Sequence, residues 1–434
     1  MHKPEKRNKA MRVLIVNTSE KTGGAAVAAN RLMEALKRNG VKAKMLVGEK
    51  QTDQLTVVPL PHHWLIRWHF LWERLQIYCH LHFSRRRLFE IDTASSGSDI
   101  TSLPEFKEAD IIHLNWINQG MLSLSSIRKI LNSGKPVVWT MHDLWAATGI
   151  CHYARTCSAF RRGCHNCRLL PGGGSKGDLS RRVWQRKKSL YHTSNIHFVT
   201  CSRWLEEQAK QSALMIGQRI SAIPNTIDTH TFCPTDRSEA RKSLSLPVEG
   251  RVILFVSQKV TDERKGVAYF IDAINKLAAS HPAMVQDTCV AVLGGNAEQV
   301  CSELIMKSFP LGYVSDEKTI VNIYNSADVY VLPSLEDNLP NTIMEAMACG
   351  VPCVGFRVGG IPEMIEHRRT GYIANFKDSD DLANGICWVL NEADTNQLKS
   401  RSLSKVAHDY SQQSVAMRYI EVYNELIALK RYIV

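Results

Sequence analysis

The sequence has no long hydrophobic run, which excludes an ordinary membrane-spanning segment. No stretch reaches the roughly 18 uncharged apolar residues that a transmembrane helix needs. The first ten residues, MHKPEKRNKA, are polar, and the apolar VLIV that follows is too short for the core of a secretory signal. We therefore expect a cytoplasmic protein whose 12 cysteines are mostly reduced, with residues 1–10 disordered.

Several functional motifs are missing as well. No G-x-G-x-x-G follows the apolar runs at Val13 or Ile253, which disfavours an NAD-dependent oxidoreductase. No Asp-x-Asp metal motif is evident at a predicted strand end, so we expect catalysis without a divalent ion or other cofactor. No nucleic-acid-binding motif is evident, and we expect no nucleic acid partner.

The charge of the chain is compatible with several classes of binding partner. The net charge is +12, and nine Arg or Lys residues lie between Arg161 and Lys188 against one acid, Asp178. Such a basic stretch can be a solvated surface, or it can meet anionic lipid, nucleic acid or a pyrophosphate-bearing substrate. A zinc-dependent nucleic-acid binder therefore stays an alternative, recognisable by steeply salt-dependent binding.

The order of apolar and helical stretches predicts an α/β protein of two domains. The chain is long enough for two or three cores. Short buried-type strands are expected at residues 13–16, 41–47, 110–114, 136–140, 251–256, 290–294, 328–332 and 351–356. We expect Rossmann-like domains at 11–228 and 229–410, joined through a polar linker at 226–249. The last segment, 411–434, contains a predicted amphipathic helix at 413–427.

The most informative stretch is PSLEDNLPNTIMEAMACGVPCVGFRVGGIPE, residues 333–363. It places Asp337 and Glu345 eight residues apart, around a predicted helix that Asn338 would cap and Gly350 would end. A helix N-terminus beside parallel strand ends favours phosphate, and a carboxylate one turn into the helix can accept ribose hydroxyls. An ordinary capped helix would explain the helix but not both carboxylates. The stretch therefore predicts a nucleotide-diphosphate site.

This stretch resembles the signature of glycosyltransferase family 4, the retaining sugar transferases of GT-B fold. The family pattern is Glu-x7-Glu with EAMA-x-G-x-P-V downstream; Glu345 matches its second Glu, and Asp337 stands at its first. The resemblance implies two Rossmann-like domains facing each other across a cleft, with the C-terminal helix crossing back to the N-terminal domain. It also implies a hexosyltransferase-type reaction that retains anomeric configuration.

Two lysines are candidates for holding the donor diphosphate. Lys259 and Lys265 follow the predicted strand 251–256, where two cations can grip a diphosphate and stabilise the leaving charge. They can also be ordinary surface lysines. The family has Arg at the position of Lys259, and Arg264 is expected to compensate for the weaker grip of a lysine.

The resemblance extends to other donor-binding positions. It implies that Gly312-Tyr313-Val314 reads the base, that Gly360 and Glu363 contact the sugar, and that Glu345 binds the ribose. It places the first glycine loop near the donor phosphate or the acceptor. The remaining donor-binding residues are Gly23, Gly24, Asn341 and Thr342.

A histidine follows another predicted strand of the first domain. His142, in TMHD after 136–140, matches a family histidine near the transferred sugar, and Asp143 is expected to orient its ring. The alternative is a core histidine bonded to the backbone. The expected catalytic residues are therefore His142, Asp337 and Lys265.

Four cysteines are grouped just after this histidine. Cys151, Cys157, Cys164 and Cys167 have the spacing C-x5-C-x6-C-x2-C. In a reducing compartment this grouping favours a structural zinc over disulfides or free thiols, all of which stay open. Similar four-cysteine insertions occur in a polysaccharide-assembly branch of the family.

The segment Trp64–Phe89 combines tryptophans with arginines. An apolar face edged by cations is predicted, because apolar residues recur there at helical spacing: Trp64, Trp68, Leu71, Leu75 and Tyr78. The helix either lies in a membrane interface or packs into the core with a polar back.

Together these features predict a glycosyltransferase that moves a sugar from a nucleotide-diphosphate sugar to a glycan, expected to be lipid-linked, in capsule, exopolysaccharide or O-antigen biosynthesis. We expect it on the inner face of the cytoplasmic membrane as a peripheral protein. The alternative is a non-catalytic sugar-nucleotide-binding subunit of an assembly complex, which the departures at Asp337 and Lys259 would suit.

Overall fold

In the computed structural model, which describes residues 10–433, the chain forms two α/β units. The first unit comprises the chain up to Cys201, Leu205–Ile223 and the chain from Val415 onward, and the second comprises Ser202–Trp204 and Pro224–Ser414. The sequence-based boundaries were 228/229 and 410/411. Most of the terminus predicted to be disordered, residues 1–9, lies outside the described residues.

A seven-stranded parallel sheet forms the centre of the first unit. Its order is β3-β2-β1-β4-β5-β6-β7. The strands are β1 (Arg12–Ser19), β2 (Lys42–Glu49), β3 (Val57–Pro59), β4 (Ile111–Leu114), β5 (Val137–Met141), β6 (Ile196–Thr200) and β7 (Arg219–Ala222). The helices are α1 (Gly24–Arg38), α2 (His63–His80), α3 (Pro104–Glu108), α4 (Leu124–Asn132), α5 (Leu179–His192) and α6 (Arg203–Lys210).

The second unit has a six-stranded parallel sheet of order β10-β9-β8-β11-β12-β13. The strands are β8 (Arg251–Lys259), β9 (Thr288–Gly295), β10 (Ser308–Gly312), β11 (Val329–Leu332), β12 (Cys353–Phe356) and β13 (Gly371–Ala374). The helices are α7 (Arg237–Ser243), α8 (Val267–Ser280), α9 (Pro282–Asp287), α10 (Ala297–Cys301), α11 (Glu317–Ser326), α12 (Asn341–Ala348), α13 (Ile361–Met364), α14 (Ser379–Asn391) and α15 (Thr395–Lys405). Helix α16 (Gln412–Ile433) ends the described chain.

The strand orders confirm two doubly wound, Rossmann-like sheets. In each sheet the first strand of the unit lies centrally and the chain winds first to one side and then to the other. The central strands are buried on both faces, which is why they read as continuous apolar runs in the sequence. All eight predicted strands are present.

The C-terminal helix α16 belongs to the first unit. Val415, Tyr419 and Tyr423 pack into the apolar core formed by α1 and the sheet. The Tyr423 hydroxyl hydrogen-bonds Nδ1 of His113 at 2.7 Å, and the Tyr419 hydroxyl lies 2.9 Å from Oγ1 of Thr140. The predicted return of this helix to the N-terminal domain is confirmed.

The predicted linker 226–249 is wrong for its second half. This stretch contains α7, and the Arg241 side chain on that helix is buried. Its guanidinium donates to the Ser326 carbonyl at 2.9 Å and to the Asp328 carboxylate at 2.6 Å. Because these partners lie far along the chain, the polar local sequence gave no sign that α7 packs against the rest of the unit. Separately, no helix within residues 10–433 is long and apolar enough to cross a bilayer.

Candidate active-site residues

Lys265 and Asp337, two of the predicted catalytic residues, lie together in the second unit. Nζ of Lys265 donates to Oδ2 of Asp337 at 2.6 Å, and the side chains are 25% and 16% exposed. Ser334 Oγ also donates to that carboxylate, at 3.2 Å. A cation and an acid that are 72 residues apart therefore form one partly open ion pair.

A glycine explains why the lysine loop can approach this closely. Gly266 has φ +70°, and a Cβ there would lie 1.8 Å from the carbonyl oxygen of Pro333, so a side chain is excluded. The amide of Leu335 donates to the Arg264 carbonyl at 2.7 Å and closes the same contact. The loops that carry Lys265 and Asp337 are thus held together by backbone contacts, and this proximity allows the two side chains to form an ion pair.

The other two predicted cations are placed differently. Lys259 ends β8 and is exposed. Arg264 pairs with Asp262, at 2.7 Å between Nη2 and Oδ2. The side chain of Lys265, by contrast, pairs with Asp337.

Helix α12 begins at Asn341, directly after this loop. Pro340 is its N-cap, and no side chain caps the helix start. The predicted cap by Asn338 is wrong, because its Oδ1 accepts the Ser202 hydroxyl instead. Asn341 accepts from the Asn225 side-chain amide at 3.0 Å. A helix start without a carboxylate or hydroxyl cap keeps its positive dipole end for another anion.

Half-buried Thr342 follows in the first turn, and Glu345 lies one turn further along α12. The Glu345 side chain is buried, and its Oε2 accepts the Tyr324 hydroxyl at 2.8 Å. Burial, together with the adjacent carboxylate, raises the pKa of Tyr324 well above its usual value, so its hydroxyl stays a donor. Gly350 has φ +77° and closes the helix in the left-handed turn that was predicted.

The glycine turn after β12 packs against the Asp337 loop. A Cβ on Gly359 would lie 1.7 Å from the Asp337 carbonyl oxygen, and one on Gly360 would lie 2.0 Å from that of Asn338. Glu363, on α13, accepts the backbone N–H groups of Arg203 and Trp204 at 2.9 and 2.7 Å. These residues belong to the same unit. The structure thus gives Glu363 a backbone-holding contact that the sequence did not reveal.

The predicted base-reading residues end strand β10. Gly312 has φ +65°, with no atom within 4 Å of the position a Cβ would take. Tyr313 is 66% exposed and Val314 is half-buried. The turn is therefore an open surface feature.

In the first unit, the predicted glycine loop precedes α1. Gly23, with φ +92°, is its N-cap, and no side chain caps this helix start either. Gly24 is its first residue, and both glycines are exposed. The geometry suits close approach of a ligand to the backbone.

His142 is held by residues that follow the two neighbouring strands. Nε2 lies 3.0 Å from Oδ1 of Asn115, which follows β4, and Nδ1 lies 3.4 Å from Sγ of Cys201, which follows β6. Burial lowers the pKa of His142 to about 4, so the ring is neutral at physiological pH. Sequence reasoning missed both partners; their position directly after a strand was the available signal.

Asp143 contacts a second histidine that the sequence analysis did not single out. Its Oδ2 lies 2.7 Å from Nδ1 of His152, whose Nε2 lies 2.6 Å from Oδ2 of Asp92. Asp92 in turn pairs with Arg74 of helix α2. We call Arg74, Asp92, His152 and Asp143 the His152 network.

The His152 network carries buried charge. Burial alone would lower the pKa of His152, but the Asp143 and Asp92 carboxylates outweigh it and raise the pKa to about 10. Trp116 Nε1 and the Trp145 amide donate to Asp143 at 3.1 and 2.8 Å. The network therefore fixes the segment that carries His142.

The four cysteines of the predicted zinc site are free thiols. They lie close enough to influence one another electrostatically, and burial raises the pKa of Cys151 to about 12 and that of Cys164 to about 11. Sγ of Cys164 accepts the Gly149 amide at 3.2 Å; the other members are Cys157 and Cys167. Within the described part of the chain, no three or more His, Cys, Asp or Glu side chains are arranged to hold a metal ion.

Two family models match the chain, one in each half. Residues 22–231 match the model described as Glycosyltransferase Family 4, and residues 250–392 match the model described as Glycosyl transferases group 1. A similar curated protein is an uncharacterized glycosyltransferase of Methanocaldococcus jannaschii. It is 25% identical over 357 residues, which are 77% of this chain and 89% of the relative.

Solved structures show the same architecture. Sucrose-phosphate synthase from Thermosynechococcus elongatus has a TM-score of 0.65 at 17% identity, over 96% of this chain and 100% of its own. HepE of Anabaena, solved in complex with UDP-glucose, has a TM-score of 0.60 at 17% identity, with the same two coverages. These similarities establish the GT-B fold. The chain is therefore a GT-B glycosyltransferase that joins a family 4 domain to a group 1 domain.

Proposed function

We propose that this protein transfers a sugar from a nucleotide-diphosphate sugar to a glycan acceptor, with retention of anomeric configuration and without a divalent ion. The observation that carries the proposal is the open Lys265–Asp337 ion pair beside the uncapped start of α12. A diphosphate needs a cation and helix amides, and this loop pair offers both in one unit.

The ion pair supports an exchange mechanism for donor binding. An arriving diphosphate competes with Asp337 for the Lys265 ammonium, because phosphate oxygens carry more charge than one carboxylate. The released Asp337 carboxylate then accepts hydroxyls of the sugar. As the bond from the anomeric carbon to phosphate breaks, Lys265 and the first turn of α12 offset the charge on the leaving phosphate.

Buried Glu345 suits the ribose, since Tyr324 fixes one of its oxygens. Gly360 and Glu363 would face the sugar; a carboxylate has lone pairs beyond the two that accept backbone amides. Gly312-Tyr313-Val314 would contact the base. The UDP-glucose complex of HepE supports this class of donor.

His142 is proposed to support the reacting centre. Its low pKa makes it a neutral hydrogen-bonding group rather than an acid. The proton of the acceptor hydroxyl then passes to an oxygen of the leaving phosphate, as the acceptor oxygen attacks the same face of the sugar. Gly23 and Gly24 would line the phosphate or acceptor side.

We further propose that the acceptor is a lipid-linked glycan of capsule, exopolysaccharide or O-antigen synthesis, handled at the inner membrane surface. The exposed tryptophans of α2 support it, because a lipid-linked acceptor is reached at a bilayer.

The four cysteines are proposed to bind one structural zinc ion as thiolates. Their electrostatic proximity supports this, and metal binding would need the thiols to draw closer than they are in the structure. Elemental analysis of protein purified under reducing conditions tests it. One zinc per chain is expected, and protein without zinc would refute it.

A ligand screen tests the donor site. UDP-, GDP- and CMP-sugars are added separately, and the melting temperature and release of free nucleotide are measured. We expect one class to stabilise the protein and to be turned over. Lys265→Ala should lower kcat/KM about 100- to 1,000-fold, the usual effect of removing one group that stabilises developing charge. Glu345→Ala should lose the thermal response.

Lys276→Ala is the matched control. Lys276 is also a lysine of the second unit paired with an acid, at 2.8 Å from Asp380, but it lies on α8. It should behave as wild type. Donor binding with no turnover by the wild type would favour the alternative, a non-catalytic sugar-nucleotide-binding subunit, and no response to any donor would refute both.

A further inference from the structure

Helix α2 buries two charged residues, Glu73 and Arg74, and exposes most of its large apolar residues. Five of these apolar side chains follow one another along the outer face at helical spacing. Their exposed fractions are 53% for Trp64, 62% for Trp68, 51% for Leu71, 50% for Trp72 and 51% for Leu75. We call these five residues the tryptophan stripe. A core-packing helix with a polar back, one of the two sequence interpretations, is therefore wrong.

The inner face of α2 is fixed by charged hydrogen bonds. Glu73 is completely buried, and its Oε1 accepts the amides of Thr93 and Ala94 at 2.8 and 2.6 Å. Arg74 is buried, donates to the Leu88 carbonyl at 2.6 Å and belongs to the His152 network. Rolling the helix to bury the stripe would break these contacts and leave buried charges unpaired, which is costly. The stripe is therefore held outward.

The surroundings of the stripe are positively charged. Arg67 on the same helix is exposed, as are Arg85 and Arg86 shortly after it. Phe83 and Phe89 extend the apolar surface, at 67% and 62% exposed. Between residues 64 and 89 the one acid is Glu73, which points inward. The outer surface of this segment thus combines exposed aromatic rings with cations and no anion of its own.

We propose that the tryptophan stripe docks the protein on an anionic phospholipid surface. Tryptophan is well suited to the boundary between headgroups and acyl chains, because its ring is apolar and its N–H is polar. Arginines beside it meet the phosphates. A second copy of the chain suits the stripe poorly, since a symmetric contact would set the same cations against each other. The proposal stands independently of the transfer reaction.

Vesicle binding tests the proposal with the full chain. The protein is mixed with vesicles of phosphatidylethanolamine and phosphatidylglycerol, or of phosphatidylcholine alone, and the bound fraction is measured by flotation at increasing lipid. We expect binding to the anionic vesicles with a blue shift of tryptophan emission, and at least tenfold weaker binding to phosphatidylcholine. Failure to float with anionic vesicles would overturn the proposal.

Variants distinguish vesicle binding through the stripe from nonspecific hydrophobic adsorption. W68S with W72S should lower the partition coefficient at least tenfold, and R85Q with R86Q several-fold, with a loss of salt sensitivity. The control, L55S with I216S, removes two apolar side chains of the same unit that are 91% and 77% exposed but lie outside the stripe. It should bind as wild type, and equal losses in control and stripe variants would contradict the proposal.

Two further measurements distinguish lipid docking from self-association and from donor binding. If light scattering shows a dimer that W68S with W72S dissociates, the stripe is a self-association surface and the proposal is wrong. The thermal response to the sugar nucleotide should be unchanged in the stripe variants. A failed donor screen with intact vesicle binding would therefore refute the proposed reaction and leave the docking surface standing.

Discussion

The two units each contain acids paired with bases, but the two sites differ in access to solvent. In the His152 network no side chain is more than 13% exposed. The side chains of Lys265 and Asp337 are 25% and 16% exposed, and they lie on two loops that follow strands of the second sheet. Charges that are buried and paired with one another hold a segment in place, whereas a pair that is open to solvent can exchange one partner for a ligand. The first arrangement positions His142, and the second is suited to receive a charged donor.

The largest expected effect is on the sealed site. His152→Leu leaves two carboxylates buried without their common partner, and should lower the free energy of unfolding by about 3–5 kcal/mol. Urea denaturation measures it. The control is His408→Leu, which removes an exposed histidine that is also paired with an acid, and should change stability by less than about 0.5 kcal/mol. Equal effects of the two variants would contradict the comparison.

A smaller effect is expected at the open site. Asp337→Asn removes the competitor for Lys265, so a nucleoside diphosphate should bind a few-fold more tightly. Transfer should nevertheless fall about 10- to 100-fold, as expected for loss of one polar contact to the reacting sugar. Calorimetry and steady-state kinetics give the two numbers. If binding of the diphosphate weakens instead, Asp337 is not a competitor and the exchange mechanism is wrong.

The pH dependence of stability gives the third test. The pKa of His152 is raised from 6.5 to about 10, so its contribution is fully present below pH 6.5 and is lost as the pH rises toward 10. The stability gap between wild type and His152→Leu should therefore narrow by about 1.4 kcal/mol per pH unit above 6.5. Denaturation at pH 6, 7 and 8 measures the slope. A gap that is constant or widens with pH would show that His152 is neutral.

The smallest effect is expected at Tyr324, which donates a hydrogen bond to Glu345, the residue proposed to bind the ribose. Tyr324→Phe removes one hydrogen bond to Glu345 and should cost about 1 kcal/mol in donor affinity, or roughly fivefold. Thermal shift against donor concentration measures it. Tyr269→Phe, on a half-buried tyrosine of the same unit, is the control and should leave the affinity unchanged. A loss as large as that of Glu345→Ala would mean that the tyrosine itself contacts the donor.

Much of the fold could be read from the sequence because central parallel strands are apolar on both faces. Four of the five missed strands, β3, β7, β10 and β13, are the edge strands of the two sheets, and the fifth, β6, is an internal strand whose apolar run is interrupted by His197. The stretch 226–249 looked like a linker for a related reason. Arg241 anchors α7 through hydrogen bonds to Ser326 and Asp328, which are remote in the sequence.

The candidate site residues also fall into two groups: those that a local sequence motif reveals and those that depend on contacts between distant parts of the chain. Lys265, Asp337 and Glu345 could be named because each stands at a strand end or a helix start within a dense motif. The contacts of Glu363 with the amides at 203 and 204, and of His152 with Asp92, join positions 60 or more residues apart. No local pattern encodes such pairs, since burial and charge balance arise only after the sheet has formed.

The return of α16 to the first unit has a consequence for biosynthesis. Because Tyr419 and Tyr423 complete a core begun by β1 and α1, that core stays open during synthesis until α16 has been made. The second unit, which ends within the first turn of α16, can fold first. Chains that terminate before α16 would thus carry a complete second unit and a first unit with an exposed apolar core, which makes α16 a late requirement for the stability of the first unit.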